Sequence, residues 1–421
     1  MIVRITRGEA EGRITAPSSK SMTHRMLLCS ALVRGRSIVR APLDCDDTRA
    51  TRRVLGEMGI KVSGSHSLWE VEGETFQRPA TELHCGESGT TLRLVTAACA
   101  LVDGVCRLTG DSSLAKRPIK DLVEGLNQLG VECECDGEYP PVTVRGTGAI
   151  EGGEAEIPGD VSSQFVSALL LVAPMAKRPS TIRLTTPLES KPYVSMTMDA
   201  QRLFGVTAEA SEDMLSYTVE PQEYGPSEVS VEGDWSSAAY LLAAGALAGR
   251  VSVDNLNMAS SQADREIVEI LSKMGAKIGI CGDSIILERM QLRGIEADLS
   301  DCPDLFPVVA ILCAASKGES VLRGLKRLRF KESDRLLAMV ENLRRMGVET
   351  RQEGDILYIE GGSPKGGVVD PRKDHRIAMA LAVLGLVSEG ETTILDAECV
   401  SKSYPGFWGD LRSLGVNLSG V

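Results

Sequence analysis

The chain has 421 residues, 43% apolar and 25% charged, with 46 Lys and Arg against 58 Asp and Glu for a formal net charge of −12. That length holds roughly two or three domains, and the apolar content excludes a disordered chain. An acidic balance of this size argues against nucleic-acid and membrane-surface partners, and no apolar run is long enough to span a membrane.

The opening MIVRITRGEAEGR brings charge and glycine before any apolar segment, so it lacks a secretory-signal pattern. Eleven cysteines are scattered through apolar segments with no Cys-x-x-Cys pair, and there are only four histidines. We therefore expect free thiols, a cytoplasmic protein and no metal. Next comes PSSKSMTHR (Pro17–Arg25), followed by Met26, Leu27, Leu28, Ala31 and Leu32. Their spacing predicts a helix with Ser18 to Ser21 at its start. A helix start already carries exposed N–H groups and about half a positive charge. Lys20 and Arg25 are the wrong sign for capping there and suit the gripping of an anion. A Ser-capped surface helix with solvated basic residues is the alternative reading of this stretch.

Farther along, LGEMGI, LNQLGV, QRLFGV, LSKMGA, LRRMGV and LRSLGV place glycines at 59, 130, 205, 275, 347 and 415, separated by 71, 75, 70, 72 and 68 residues. Each follows an amphipathic helical stretch and precedes a strand-like one, where a left-handed helix cap is required. Six at near-constant spacing form an internal repeat. Apolar helices interleave with them, beginning near Ser21, Thr90, Ser163, Trp235, Asp304 and Asp374. Five of these end at a glycine (35, 104, 249, 318, 390), whereas the third runs into Lys177-Arg-Pro-Ser. Each repeat reads as an α/β module too small to bury its own core, with three modules per globular half. Gly146-Thr-Gly-Ala-Ile-Glu-Gly152 has the wrong spacing for a dinucleotide fold, and no P-loop is present.

The starts of the apolar helices carry the chemistry: Lys20, Ser21 and Arg25; Glu87-Ser-Gly89-Thr90 with Arg93; Ser162, Ser163 and Gln164; Asp304; and Asp374-His-Arg376. If the modules pack by quasi-symmetry, these groups gather. Asp234 in the fourth copy reads as a helix N-cap. Arg117, Lys331, Arg335 and Lys402 are further basic residues on repeat-equivalent loops. Together they form a cationic set suited to small, highly charged anions. Lys331 and Arg335 share a helical face if their helix extends back that far. Asp304 is either a helix cap or a base, and Glu332 is expected to be held ionised by Lys331 or to share its proton.

The combination SKSxTHR, SGTTxR, KRPI, SSQ, SKPY, KESDR, DHR and SK resembles the 5-enolpyruvylshikimate-3-phosphate synthase family of enolpyruvyl transferases along the whole chain. The resemblance implies an α/β fold of two lobes, each of three βαβαββ modules, with an active-site cleft between them. It also implies that the first strand crosses over, giving lobes of 14–225 and of 1–13 with 226–421. The implied reaction transfers the enolpyruvyl group of phosphoenolpyruvate to the 5-hydroxyl of shikimate 3-phosphate, without a cofactor, in a monomer. By motif, Ser21 and Arg25 would hold the shikimate ring and carboxylate, and Ser162, Ser163 and Ser190 the 3-phosphate. Lys20, Gly89, Arg117, Gln164, Arg335, Arg376 and Lys402 would surround phosphoenolpyruvate, with Lys20 and Gln164 also near shikimate 3-phosphate. Asp304 would be the base on the hydroxyl with Lys331 beside it, and Glu332 or Lys20 would protonate the methylene. A side chain at Gly89 would intrude on a ligand lying against the backbone.

Glu87 and Leu94 depart from the residues frequent in that family, which bears on pocket shape and glyphosate sensitivity. The related transferase acting on a UDP-amino sugar carries a cysteine in the loop before its Arg-Pro. The equivalent loop here, Gly110 to Pro118, has none. A non-catalytic anion-binding repeat protein would not need Asp304, Lys331 and Glu332 together.

Overall fold

The computed structural model describes residues 1–420. In chain order its twelve α-helices among the described residues are α1 (Lys20–Leu32), α2 (Asp46–Glu57), α3 (Gly89–Ala98), α4 (Lys120–Gln128), α5 (Ser163–Val172), α6 (Lys191–Leu203), α7 (Trp235–Ala248), α8 (Ile267–Lys273), α9 (Phe306–Ala314), α10 (Arg335–Arg345), α11 (His375–Gly385) and α12 (Phe407–Ser413). None is long and apolar enough to cross a membrane.

Odd- and even-numbered helices do different jobs. Every residue of α7, α9 and α11 is buried, because Ala, Leu, Val and Ile occupy nearly all faces. The even helices are amphipathic and bury one side only. Each even helix is followed by the repeat glycine at 59, 130, 205, 275, 347 or 415, with φ between +75° and +91°. A Cβ is strained in that conformation, which explains why the repeat is marked by glycine.

Six four-stranded sheets are present among the described residues, all built alike: one parallel pair, then two antiparallel pairings. In the second copy, strand Leu83–His84 leads through α3 to strand Asp103–Thr109, and α4 then leads to the hairpin Glu132–Asp136 and Tyr139–Thr147. This is the βαβαββ order. The sixth sheet borrows Val3–Thr6 from the chain start, inserted between Glu391–Ile394 and Leu418–Ser419.

The chain divides into two compact units, one of Met1–Pro17 with the chain from Glu232 onward, the other Ser18–Val231. These switch points differ from the expected 13/14 and 225/226 for a physical reason. Strand Glu11–Thr15 pairs along its whole length with Arg250–Asp254, so it stays with the first unit to its end. Strand Glu228–Ser230 pairs with Gly35–Arg40 and so stays with the second. Each unit has its own apolar core around three odd helices.

Candidate active site

In the unit Ser18–Val231, the starts of α1, α3 and α5 are capped by serines. Ser19, Ser88 and Ser162 accept hydrogen bonds from the N–H groups of Met22, Thr91 and Gln164. Each hydroxyl keeps its own proton to donate elsewhere. Lys20 is mostly buried and donates from Nζ to Asp47 Oδ2 at 2.8 Å. Asp47 escaped the sequence reading because it lies 27 residues away on α2, beyond any local pattern. Arg25 is also inside. Its Nε donates to Thr197 Oγ1 at 2.8 Å, Nη1 to the Ser21 carbonyl and Nη2 to the Tyr193 carbonyl, both at 2.9 Å. Burial lowers its pKa to about 10, still well above neutrality. Three of the five guanidinium donors thus fix its plane between α1 and α6.

A hydroxyl chain joins the first two copies. His24 Nδ1 meets Thr51 Oγ1 at 2.8 Å, Thr51 meets Thr91 Oγ1 at 2.7 Å, and Thr91 donates to Ser88 Oγ at 2.7 Å. Burial lowers the His24 pKa to about 3, so its ring is neutral. Gln164 bridges the second and third copies. Its Oε1 accepts from Arg93 Nη1 at 2.8 Å and its Nε2 donates to Thr90 Oγ1 at 3.1 Å. Arg93, present in the sequence motif but given no role there, is therefore what orients Gln164. It also stacks over Phe165, 5.2 Å from the ring centre.

A Cβ on Gly89 would lie 2.6 Å from Arg117 Nη1. The Arg117 guanidinium rests against this backbone, so a side chain at Gly89 would push it aside. Glu87 accepts from Ser113 Oγ at 3.1 Å and so ties down the loop that carries Arg117. Leu94 is buried in the core. Ser163 and Ser190 are buried, and Ser190 precedes α6 with φ +58° and ψ +45°, an unusual conformation for a non-glycine residue.

The unit beginning at Met1 holds the acidic residues. Asp304 sits in a 3-10 turn, Pro303–Leu305, ahead of α9, and α9 has no side-chain cap. This removes the cap reading of Asp304. Its Oδ1 accepts from Arg335 Nη1 at 2.8 Å and Lys331 Nζ at 3.3 Å, and its Oδ2 lies 2.9 Å from Arg376 Nη2. Burial opposes its ionisation, but Arg376, Lys331 and Arg335 outweigh that and hold the carboxyl well below its ordinary range. Burial in turn lowers Lys331 to about 8, against the attraction of Asp304.

Arg335 is 1% exposed and is shared by three carboxylates: Asp304, Glu332 Oε2 at 2.6 Å and Asp374 Oδ2 at 2.7 Å. They more than offset its burial and push its pKa above the ordinary arginine value. Asp374 also caps α11 by accepting from Arg376 N at 3.0 Å. Lys402 Nζ lies 4.0 Å from Glu332 Oε1.

Two expectations need correcting here. Lys331 and Arg335 do not share a helical face, since α10 starts at Arg335 and Lys331 is extended; the fold brings them together at Asp304 instead. Glu332 is held by Arg335 rather than by its neighbour Lys331, which turns to Asp304. As expected from the sequence, acidic groups lie among the cations: Asp304 and Glu332, joined by Asp374, sit among Lys331, Arg335, Arg376 and Lys402.

Known proteins are similar to this chain along nearly its whole length. A 3-phosphoshikimate 1-carboxyvinyltransferase of Dehalococcoides mccartyi is 43% identical over 417 residues, covering 99% of this chain and 98% of that protein. One of Methanocorpusculum labreanum is 40% identical, covering 98% of each. The structure of EPSP synthase from Acinetobacter baumannii superposes with a TM-score of 0.84 at 27% identity, covering 99% of both chains. The enolpyruvyl transferase NikO of Streptomyces tendae shares the fold with a TM-score of 0.82 at 17% identity, covering 99% of this chain and 98% of its own. The family model for EPSP synthase (3-phosphoshikimate 1-carboxyvinyltransferase) matches residues 6–411, and the chain belongs to that family.

Proposed function

We propose that this chain transfers the enolpyruvyl group of phosphoenolpyruvate to the 5-hydroxyl of shikimate 3-phosphate and releases inorganic phosphate. Asp304 carries the reading: an ionised carboxylate among Lys331, Arg335 and Arg376 combines a base with groups that bind anions. The family relationship supplies the substrates.

Ser21 and Arg25 hold the shikimate ring and carboxylate, Arg25 with the donors its protein contacts leave over. Ser162, Ser163 and Ser190 bind the 3-phosphate, with Lys20 and Gln164 beside it. The left-handed Ser190 supports this, since such strain costs about 1–3 kcal/mol and collects at ligand sites. Lys20, the Gly89 backbone, Arg117, Gln164, Arg335, Arg376 and Lys402 bind phosphoenolpyruvate.

Asp304 takes the proton of the 5-hydroxyl as that oxygen bonds to C2 of phosphoenolpyruvate. The C2–C3 double-bond electrons take a proton at C3 from Glu332 or Lys20, giving a tetrahedral intermediate. Loss of a C3 proton then re-forms the double bond as the C2–O bond to phosphate breaks. Without substrate, Asp304 is too strongly held to be a good base. Incoming carboxylate and phosphate groups compete for Arg376 and Lys331, and every donor they draw away raises the proton affinity of Asp304. Substrate binding thereby activates the base, while the same cations stabilise the developing charge.

Transfer to a UDP-amino sugar is not favoured, given the relatives found and the cysteine-free loop before Arg117. Simple anion storage would leave Asp304 without a task. We place the protein in the cytoplasm, in keeping with its free cysteines, and propose that it is a monomer. Proton NMR of the reaction in D2O checks the chemistry. New enol-ether vinyl signals should appear with deuterium entering the methylene; their absence with shikimate 3-phosphate would overturn the proposal.

A further inference from the structure

The serines assigned to the 3-phosphate sit on two loops, and one threonine hydroxyl joins those loops. Strands Gly153–Ile157 and Ser180–Leu184 pair in parallel with Ile157 beside Leu184, so the loops that follow leave the sheet side by side. The first loop leads to Ser162 and Ser163 at the start of α5, the second to Ser190 ahead of α6. Thr186, in the second loop, accepts from Gly159 N at 2.9 Å and from Asp160 N at 3.2 Å, and donates to Asp160 Oδ1 at 2.8 Å. Both lone pairs and the single proton of its hydroxyl are therefore taken up by the other loop. Glu189 N, one residue before Ser190, donates to Gly159 O at 3.2 Å and closes the contact from the far side. The loops lie so near that a Cβ on Gly159 would be 2.7 Å from Thr186 O and 3.0 Å from Leu188 Cα.

We propose that Thr186 is a positioning residue for shikimate 3-phosphate: it locks the loop before Ser162 and Ser163 to the loop before Ser190, and so sets the spacing of three hydroxyls around one phosphate. This rests on the enolpyruvyl-transfer reading above, which supplies the phosphate. Hydrogen bonds to a charged phosphate are strong but directional, so all three hydroxyls serve only while they converge. Without the Thr186 hydroxyl, two backbone N–H groups lose their acceptor and the loops are free to part. Phosphoenolpyruvate is assigned to groups outside these loops apart from Gln164, which Arg93 and Thr90 hold independently. The clamp therefore acts on one substrate.

Calorimetric binding of shikimate 3-phosphate, with KM for phosphoenolpyruvate measured at saturating shikimate 3-phosphate, tests it. Thr186→Val keeps the shape of the side chain but none of its hydrogen bonds, and should weaken shikimate 3-phosphate binding roughly tenfold. KM for phosphoenolpyruvate should not change, whereas general loosening of the protein would raise both. Thr186→Ser keeps all three hydrogen bonds and should bind like the wild type. Gly159→Ala leaves the hydroxyl in place but wedges the loops apart, so it should weaken shikimate 3-phosphate binding while sparing phosphoenolpyruvate. Wild-type binding by Thr186→Val, or an equal loss for both substrates in it and in Gly159→Ala, overturns this inference alone. Wild-type protein that does not bind shikimate 3-phosphate overturns the transfer reading and this inference with it.

Discussion

Arg335 and His24 show opposite ways of burying a titratable side chain. Arg335 stays charged because three carboxylates meet it. Arg335→Met keeps much of the volume but leaves those carboxylates crowded without their shared cation, and should cost about 3–5 kcal/mol in urea unfolding at pH 7. A loss under about 1 kcal/mol would mean that Lys331, Arg376 and Lys402 suffice. His24 instead stays neutral, with a folded pKa of about 3 against about 6.5 unfolded. That depressed value gives stability that is present above pH 6.5 and lost as pH falls toward 3, on the order of 5 kcal/mol in all. His24→Asn should therefore lose less stability than the wild type between pH 7 and 4; equal losses would place the acid sensitivity elsewhere. Lys20, Arg25 and Asp304 were readable from sequence because each is an odd residue at a helix start. Asp47 and the pairing of Arg335 with Asp304 and Asp374 were not, since they depend on side chains 27 to 39 residues apart in the chain that meet only on folding.

Helix punctuation was the most readable feature, because caps are local. Asp234 accepts from Ser237 N at 2.7 Å as an N-cap should, and the six repeat glycines take positive φ. Gly275 has φ +85° with nothing within 4 Å of a built Cβ. Gly275→Ala should therefore cost about 1–2 kcal/mol through backbone strain alone. Thermal unfolding checks this, and an unchanged midpoint would show that the C-cap relaxes freely. What local pattern could not show is where an element begins when tertiary contacts decide it. Lys331 falls outside α10 because its ammonium is drawn to Asp304 while Asp334 caps the helix at Leu337 N.

The sixfold repeat gave the architecture, yet the strand exchange at the chain start has no local mark. Val3–Thr6 alternates like many strands, and only the family resemblance pointed to its crossing. Val3 and Ile5 are fully buried in the sixth sheet. Deleting residues 1–6 should remove at least about 3–6 kcal/mol of apolar burial and expose two strand edges. The unit containing α7 to α12 should then lose cooperative unfolding in calorimetry, and a full-length-like transition would contradict the pairing. Repeats place the helix starts and helix starts place cations and hydroxyls; the central proposal is that Asp304, the carboxylate among Lys331, Arg335 and Arg376, serves as the base. Phosphate release from phosphoenolpyruvate upon addition of shikimate 3-phosphate, followed in wild type and in Asp304→Asn with calorimetric binding of shikimate 3-phosphate alongside, tests that most directly. The wild type should release phosphate only when both substrates are present, and Asp304→Asn should turn over roughly a hundredfold or more slowly while still binding shikimate 3-phosphate. Wild-type protein that releases no phosphate, or an Asn variant of undiminished rate, would contradict it.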